Sequence, residues 1–205
     1  TRQAALNAAL IAARQQTNRD PSDPIEAAEL VVKAGAPAVD AAAVVDETGV
    51  LARAGGAAKS ADLAKAARAA RAAGKPIWIG GSSDWLYVAV SASGPRGPVE
   101  IVAGTDATSL IGQDAISPVQ AIASPDGGLV TVNAPGAAGE AATLKEAFSI
   151  TPADVAGGEA QGRLPDGTSV RLAVRTIGDG SLVELIGQPG QTPGLLPGAD
   201  RKSVV

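Results

Sequence analysis

The chain predicts an α+β fold in which N-terminal helices precede two tandem copies of one module. Three observations predict it. Residues 41–55 read as an apolar run, a polar turn closing on Gly49 and a second apolar run, a β-hairpin pattern in which the turn residues bend the chain and glycine tolerates positive φ. A second hairpin of the same kind spans 121–132, and Gly127 follows Gly49 by 78 residues. Each hairpin leads into a helix-like stretch and then into further strand-like runs, so each copy is expected to be an antiparallel sheet with flanking helices.

Composition bounds what such modules can do. A chain of 205 residues that is 45% hydrophobic can bury the cores of two small domains. Only 2% is aromatic, so Ala, Val, Leu and Ile must build those cores, and stability is expected to be modest. The 17 basic and 21 acidic residues are dispersed and leave a net charge of −4, which argues against nucleic acid as a partner. No stretch approaches the length of a membrane span and no signal-peptide pattern opens the chain. The absence of Met, initiator included, predicts a fragment of a longer protein. Cys and His are both missing, which excludes His- or Cys-ligated metals, a His-ligated haem, a thiolate nucleophile and a Ser-His-Asp triad. Carboxylate sites for calcium or magnesium stay open, but no cofactor and no metal are expected, and the fragment is expected to be non-catalytic.

In chain order, residues 1–17 predict a helix with Leu6 and Leu10 one turn apart and Ile11 beside them. Asp23-Pro24-Ile25-Glu26 is a helix start, and Gly35 and Pro37 end that helix after Lys33. Residues 1–40 therefore form an N-terminal helical segment. The first module, 41–114, adds a helix over Ser60–Ala73 capped by Ser60 and closed by Gly74, then strands at 77–79, 85–93 and 98–103. The second module, 115–188, places its hairpin at 122–133, a helix near 142–148, and strands at 160–164, 168–176 and 181–187. Residues 189–205, rich in Pro and Gly, read as a mobile tail or juxtamembrane linker.

Three stretches carry a resemblance to a known family. Residues 44–51 (Val-Val-Asp-Glu-Thr-Gly-Val-Leu), and the pair 163–171 (Arg-Leu-Pro-Asp-Gly-Thr-Ser-Val-Arg) and 178–186 (Gly-Asp-Gly-Ser-Leu-Val-Glu-Leu-Ile), resemble the first and last hairpins of PAS-type domains. Residues 99–110 (Val-Glu-Ile-Val-Ala-Gly-Thr-Asp-Ala-Thr-Ser-Leu) resemble the closing strand of an extracytoplasmic Cache module. A leading helix and two such modules resemble a double-Cache, or tandem PAS, sensor domain. The resemblance implies a periplasmic domain of an inner-membrane protein, set between two transmembrane helices of a sensor histidine kinase, chemoreceptor or cyclase. It also implies a small-molecule ligand or a periplasmic protein as partner, and admits a homodimer.

In amino-acid-sensing members of that family, a basic residue and aromatic residues hold the ligand carboxylate and an Asp on the last strand holds its amine. The matching positions here are Lys75, Trp78, Trp85, Tyr87 and Asp106, although Gly-Lys-Pro stands where the family places an Arg before the Trp. The alternative is that Trp78 and Tyr87 are packing aromatics and Asp106 caps the following turn. Arg68 and Arg71 read as a solvated face, and Asp46, Glu47 and Asp126 as turn residues rather than acid–base pairs. Gly80–Ser83 and Gly178–Gly180 lack the strand–loop–helix setting of a phosphate cradle. Two functions follow: a sensor domain that binds a small signal, or a module that binds a periplasmic scaffold or localisation protein without one.

Overall fold

Alanine-rich sequence becomes helix where a start and a stop signal bracket it. The computed structural model, which describes residues 2–17, 23–82, 84–111 and 118–190, places α1 at Arg2–Thr17, α2 at Pro24–Gly35 and α3 at Ser60–Ala73. The Asp23 carboxylate accepts the backbone N–H groups of Ile25 at 2.9 Å and Glu26 at 3.4 Å, and Pro24 occupies the first helical position, where a missing N–H costs nothing. Gly74 closes α3 with a left-handed φ of 63°. Ser60, expected as the cap of α3, is instead its first residue. Lys59 holds the cap position without a side-chain hydrogen bond, so packing rather than capping sets this helix start.

The strands of the first module are β1 (Ala41–Val45), β2 (Val50–Gly55), β3 (Ile77–Gly80), β4 (Trp85–Gly94) and β5 (Gly97–Asp106), in the antiparallel order β2-β1-β5-β4-β3. A 3₁₀ turn at Ala107–Leu110 leads on to β6 (Val119–Ala123) and β7 (Leu129–Asn133), then a 3₁₀ turn at Gly136–Glu140 and α4 (Leu144–Phe148). Strands β8 (Glu159–Arg163), β9 (Ser169–Ile177) and β10 (Leu182–Pro189) complete the second sheet, in the order β7-β6-β10-β9-β8. The second sheet thus repeats the first strand for strand. In both, the last strand returns to pair with the first, Ala41 opposite Gly104 in one and Val119 opposite Gly187 in the other. This is the expected α+β architecture of two tandem modules.

Strand alternation gives each sheet two faces. In the first sheet Leu86, Val88, Ile101 and Ala103 face α1 and α2, packing on Leu6, Leu10 and Val31, while Tyr87, Ala89 and Val102 face Leu63, Ala66 and Ala67 of α3. Both faces are covered by helix, which is why all five residues of β1 are buried. Ile11 lies off the buried stripe of α1 and is 53% exposed. The second sheet is covered on one face, where Leu144, Ala147 and Phe148 pack on Leu172 and Leu185. Its other face meets the first turn of α1, and the core beneath α1 runs on through Trp78 to Ile122, Val130, Ile177 and Leu182 of the second module. Of residues 189–205, read from sequence as a tail, Pro189 ends β10 and 191–205 lie outside the described residues.

Candidate functional site

The residue pairing of β4 and β5 sets Trp85 opposite Asp106 and Tyr87 opposite Gly104. Alternation then puts Trp85 and Tyr87 side by side beneath α3, their rings stacked with centroids 5.9 Å apart and planes 10° from parallel. Tyr87 is completely buried. Its ring takes the room two glycines leave: a Cβ on Gly104 would stand 2.9 Å from Cε1, and one on Gly81 would collide with the opposite edge. Around it, Ala66, Ala67 and Ala70 of α3 lie on Ala41, Ala43 and Ala89 of the sheet, small residues against small residues. The ring and these alanines fill the space between sheet and helix.

The Tyr87 hydroxyl ends near the start of α3. It has no well-formed hydrogen bond among the described residues; the Lys59 backbone comes near it without completing one. Burial, and secondly the negative charge of Asp62, push its pKa up from the usual phenol value. Asp62 in turn accepts the Ser82 backbone N–H at 2.9 Å and the Ser82 hydroxyl at 2.6 Å, which pins the β3–β4 loop to α3. Asp106 is committed locally: its carboxylate accepts the Thr108 N–H at 2.9 Å and the Thr108 hydroxyl at 2.7 Å, capping the turn after β5.

Trp78 pairs with Val88 in the register of β3 and β4 and therefore sits on the other side of the sheet from Tyr87. It is 4% exposed and wedges against the second module at Gly178. Gly178 has a φ of 58°, and a Cβ there would stand 2.8 Å from Cδ1 of the indole, so both backbone and space call for glycine. Lys75 is exposed in the turn after α3, on the rim of a cleft between the modules. The five residues drawn together by sequence thus form two groups. Trp85, Tyr87 and Asp106 lie at the α3 face, and Lys75 and Trp78 at the joint between modules.

Sequence reasoning missed the most connected polar cluster. Glu184 on β10 is completely buried, and its carboxylate is held by Arg2 of α1 and by Arg175, directly opposite on β9. The Arg2 guanidinium also donates to the Gln120 side chain and to the Leu110 carbonyl, so one arginine at the head of α1 is bonded to β6, β10 and the turn joining the modules. Gln3 adds a bond from the Gly178 N–H at 3.2 Å. The signal was a lone Glu inside the apolar run Leu182–Ile186, since a buried charge needs a partner. Glu100 repeats it: Arg71, expected on a solvated face, donates from Nε to this buried carboxylate at 2.9 Å.

The turn aspartates behave as turn aspartates. The Thr48 hydroxyl and then the Thr48 and Gly49 N–H groups hold Asp46 below the usual carboxylate range, and Ser124 and Thr168 do the same for Asp126 and Asp166. Among the described residues no group of three or more Asp or Glu could hold a metal ion, and no helix is long and apolar enough to cross a membrane.

No family model matches the sequence. Over 190 residues the chain is 36% identical to the Non-motile and phage-resistance protein of Caulobacter vibrioides; the alignment covers 91% of this chain but only 22% of that protein. Among solved structures, the ligand-binding domain of the Pseudomonas fluorescens chemoreceptor CtaA in complex with L-alanine superposes with a TM-score of 0.61 at 15% identity, covering 94% of this chain and 89% of that one. The extracellular domain of mmHK1S-Z3, named as a histidine kinase, gives 0.61 at 13% identity over 91% and 86%. The periplasmic sensory domain of the Campylobacter jejuni chemoreceptor Tlp1 gives 0.58 at 12% identity over 91% and 89%.

Proposed function

We propose that this chain, whose fold is that of the tandem PAS-type, double-Cache sensor domains, is the signal-receiving region of a membrane-anchored histidine kinase, held in the periplasm. The observation that carries the reading is the attachment of α1 to both modules. Leu6 and Leu10 are embedded in the core of the first sheet, and Arg2 is bonded to Glu184 and Gln120 of the second. Any change in how the two modules sit on each other must move α1 or break the bonds of Arg2. A signal that prefers one arrangement therefore shifts the population of α1 positions. The relative from Caulobacter is several times longer than this chain, which leaves room for an output region. Turn geometry accounts for the aspartates that acid–base chemistry would need, which supports a non-catalytic input.

The test is the autophosphorylation rate of the full-length protein in membrane vesicles, parent against Arg2→Ala. Loosening α1 from the second module should change the rate by about fivefold or more, the low end of ordinary coupling between sites. An unchanged rate from a folded variant would remove α1 as the transmitting element.

A second reading makes the signal a periplasmic protein rather than a small molecule. It is favoured by Tyr87, which fills the α3 face, and by two exposed apolar side chains, Ile25 of α2 at 59% and Leu51 of β2 at 46%. Pull-down with a Leu51→Asp variant tests it, since a partner seated on that surface is lost with the substitution.

A further inference from the structure

The two modules are joined tightly at one point and stand apart beside it. Gly80 at the end of β3 meets Val130 of β7 so closely that a Cβ on Gly80 would be 2.6 Å from the valine methyl, and Trp78 meets Gly178. Next to this contact a cleft of roughly 780 Å³ opens between the modules, within the ordinary size of a small-molecule site. Its walls carry opposite charges. Lys65 of α3 and Lys75 of the α3–β3 turn stand on the side of the first module, Asp126 and Asp179 on the side of the second. The Lys65 charge is felt at Asp126, but no salt bridge joins the two walls among the described residues. The third feature is β3 itself, all four of whose residues line the cleft. It is the edge strand of its sheet, so one side of its backbone has no strand partner.

We propose that this cleft is a binding site for a short zwitterionic peptide, its carboxylate held by Lys65 and Lys75, its ammonium by Asp126 and Asp179, and its backbone laid along β3. Opposite charges on opposite walls select a ligand that carries both; a ligand with one charge satisfies one module and leaves the other as it was. An open strand edge adds backbone donors and acceptors, which a peptide meets and a free amino acid meets in part. A peptide that engages both walls fixes their separation, and α1 is bonded to both modules. The inference rests on the sensor reading above, and places the signal at the joint rather than beneath α3.

The experiment is isothermal titration calorimetry of the 205-residue chain with trialanine, N-acetyl-trialanine, trialanine amide and L-alanine. Trialanine should bind saturably, and removing either terminal charge should weaken it by about tenfold or more, the ordinary worth of a charge-assisted contact. Asp179→Asn and Lys75→Gln, both at exposed positions, should weaken trialanine by a similar factor. The loss from Asp179→Asn should vanish for the acetylated peptide and the loss from Lys75→Gln for the amide. Absence of saturable heat with trialanine, or binding unaltered in both variants, overturns the proposal. L-alanine binding as tightly as trialanine overturns the role of the β3 edge. If trialanine fails while Arg2→Ala still alters autophosphorylation, the cleft is lost and the sensor reading stands; if Arg2→Ala has no effect, α1 is lost as the transmitting element, whatever the peptide does.

Discussion

The two sheets share a strand order and differ in how they are covered. The first is packed between helices on both faces, and on its α3 face the core is made largely of alanine, so helix and sheet approach closely there and little space is left. The second is covered on one face by a core of larger side chains around Phe148, and its other face carries Gln120, Glu184 and Arg175, tied to α1 through Arg2. One helix is therefore held by apolar contact at one end and by directional charged bonds at the other. Apolar contact tolerates small slides, whereas the bonds of Arg2 are made or broken. The difference locates rigidity in the first module and coupling in the second.

The largest effect should come from the second core. Phe148→Ala removes its one aromatic side chain, wholly buried, and should cost about 3–5 kcal/mol. Both tryptophans belong to the first module, with Trp78 packed on Gly178 of the second, so fluorescence follows the first module and its joint while circular dichroism follows the whole chain. Because the core under α1 runs unbroken into the second module, the two signals should still fall together in urea. A fluorescence transition left at its parent midpoint would mean that the modules unfold separately. Next in size is Glu184→Ala, which leaves Arg2 without its buried partner and should cost about 3 kcal/mol by the same measurement. A loss below about 0.5 kcal/mol would place the pair among ordinary surface bridges and remove the contrast between the two ends of α1.

Much of this architecture is legible in sequence because its signals are local. The Asp23-Pro24 start, the Gly74 stop and the two hairpins each depend on a few neighbouring residues, and each stands where it was expected. The candidate site was harder because it depends on register. Trp78 and Tyr87 are close in sequence, but the pairing of β3 with β4 puts Trp78 level with Val88 and hence on the opposite face from Tyr87. A one-residue shift in that pairing would have placed them together. The Arg2–Glu184 bond joins residues 182 apart, and sequence displays Glu184 as a charge in an apolar run without saying which charge answers it. Asp106 was open to two readings from sequence, ligand contact or turn cap; its carboxylate bonds Thr108.

The close packing of the first module gives the next prediction. Ala66 is fully buried between α3 and the sheet, so Ala66→Leu should cost about 1–3 kcal/mol through overpacking. On the second sheet Ala173 is exposed, and Ala173→Leu should stay within about 0.5 kcal/mol of the parent. Equal costs in urea would mean that the two sheets are equally filled.

The smallest effect is also the sharpest test of the α3 face. Tyr87→Phe deletes a buried hydroxyl without a well-formed partner and keeps the ring between its glycines, so it should stabilise the chain by about 1 kcal/mol at neutral pH. Burial raises the Tyr87 pKa above the ordinary value of 10.0. Below that value the folded and unfolded states both carry the neutral phenol, and the hydroxyl adds no pH dependence. Above it the unfolded chain releases the proton while the folded chain retains it, so parent stability falls as pH rises. Phe cannot titrate, and the gap between variant and parent, read from urea midpoints, should be constant below pH 10 and widen above it. A variant less stable than the parent would mean that the hydroxyl is bonded in solution. A gap that stays constant at alkaline pH would mean that it reaches water, and either result would reopen the α3 face as a place for a ligand.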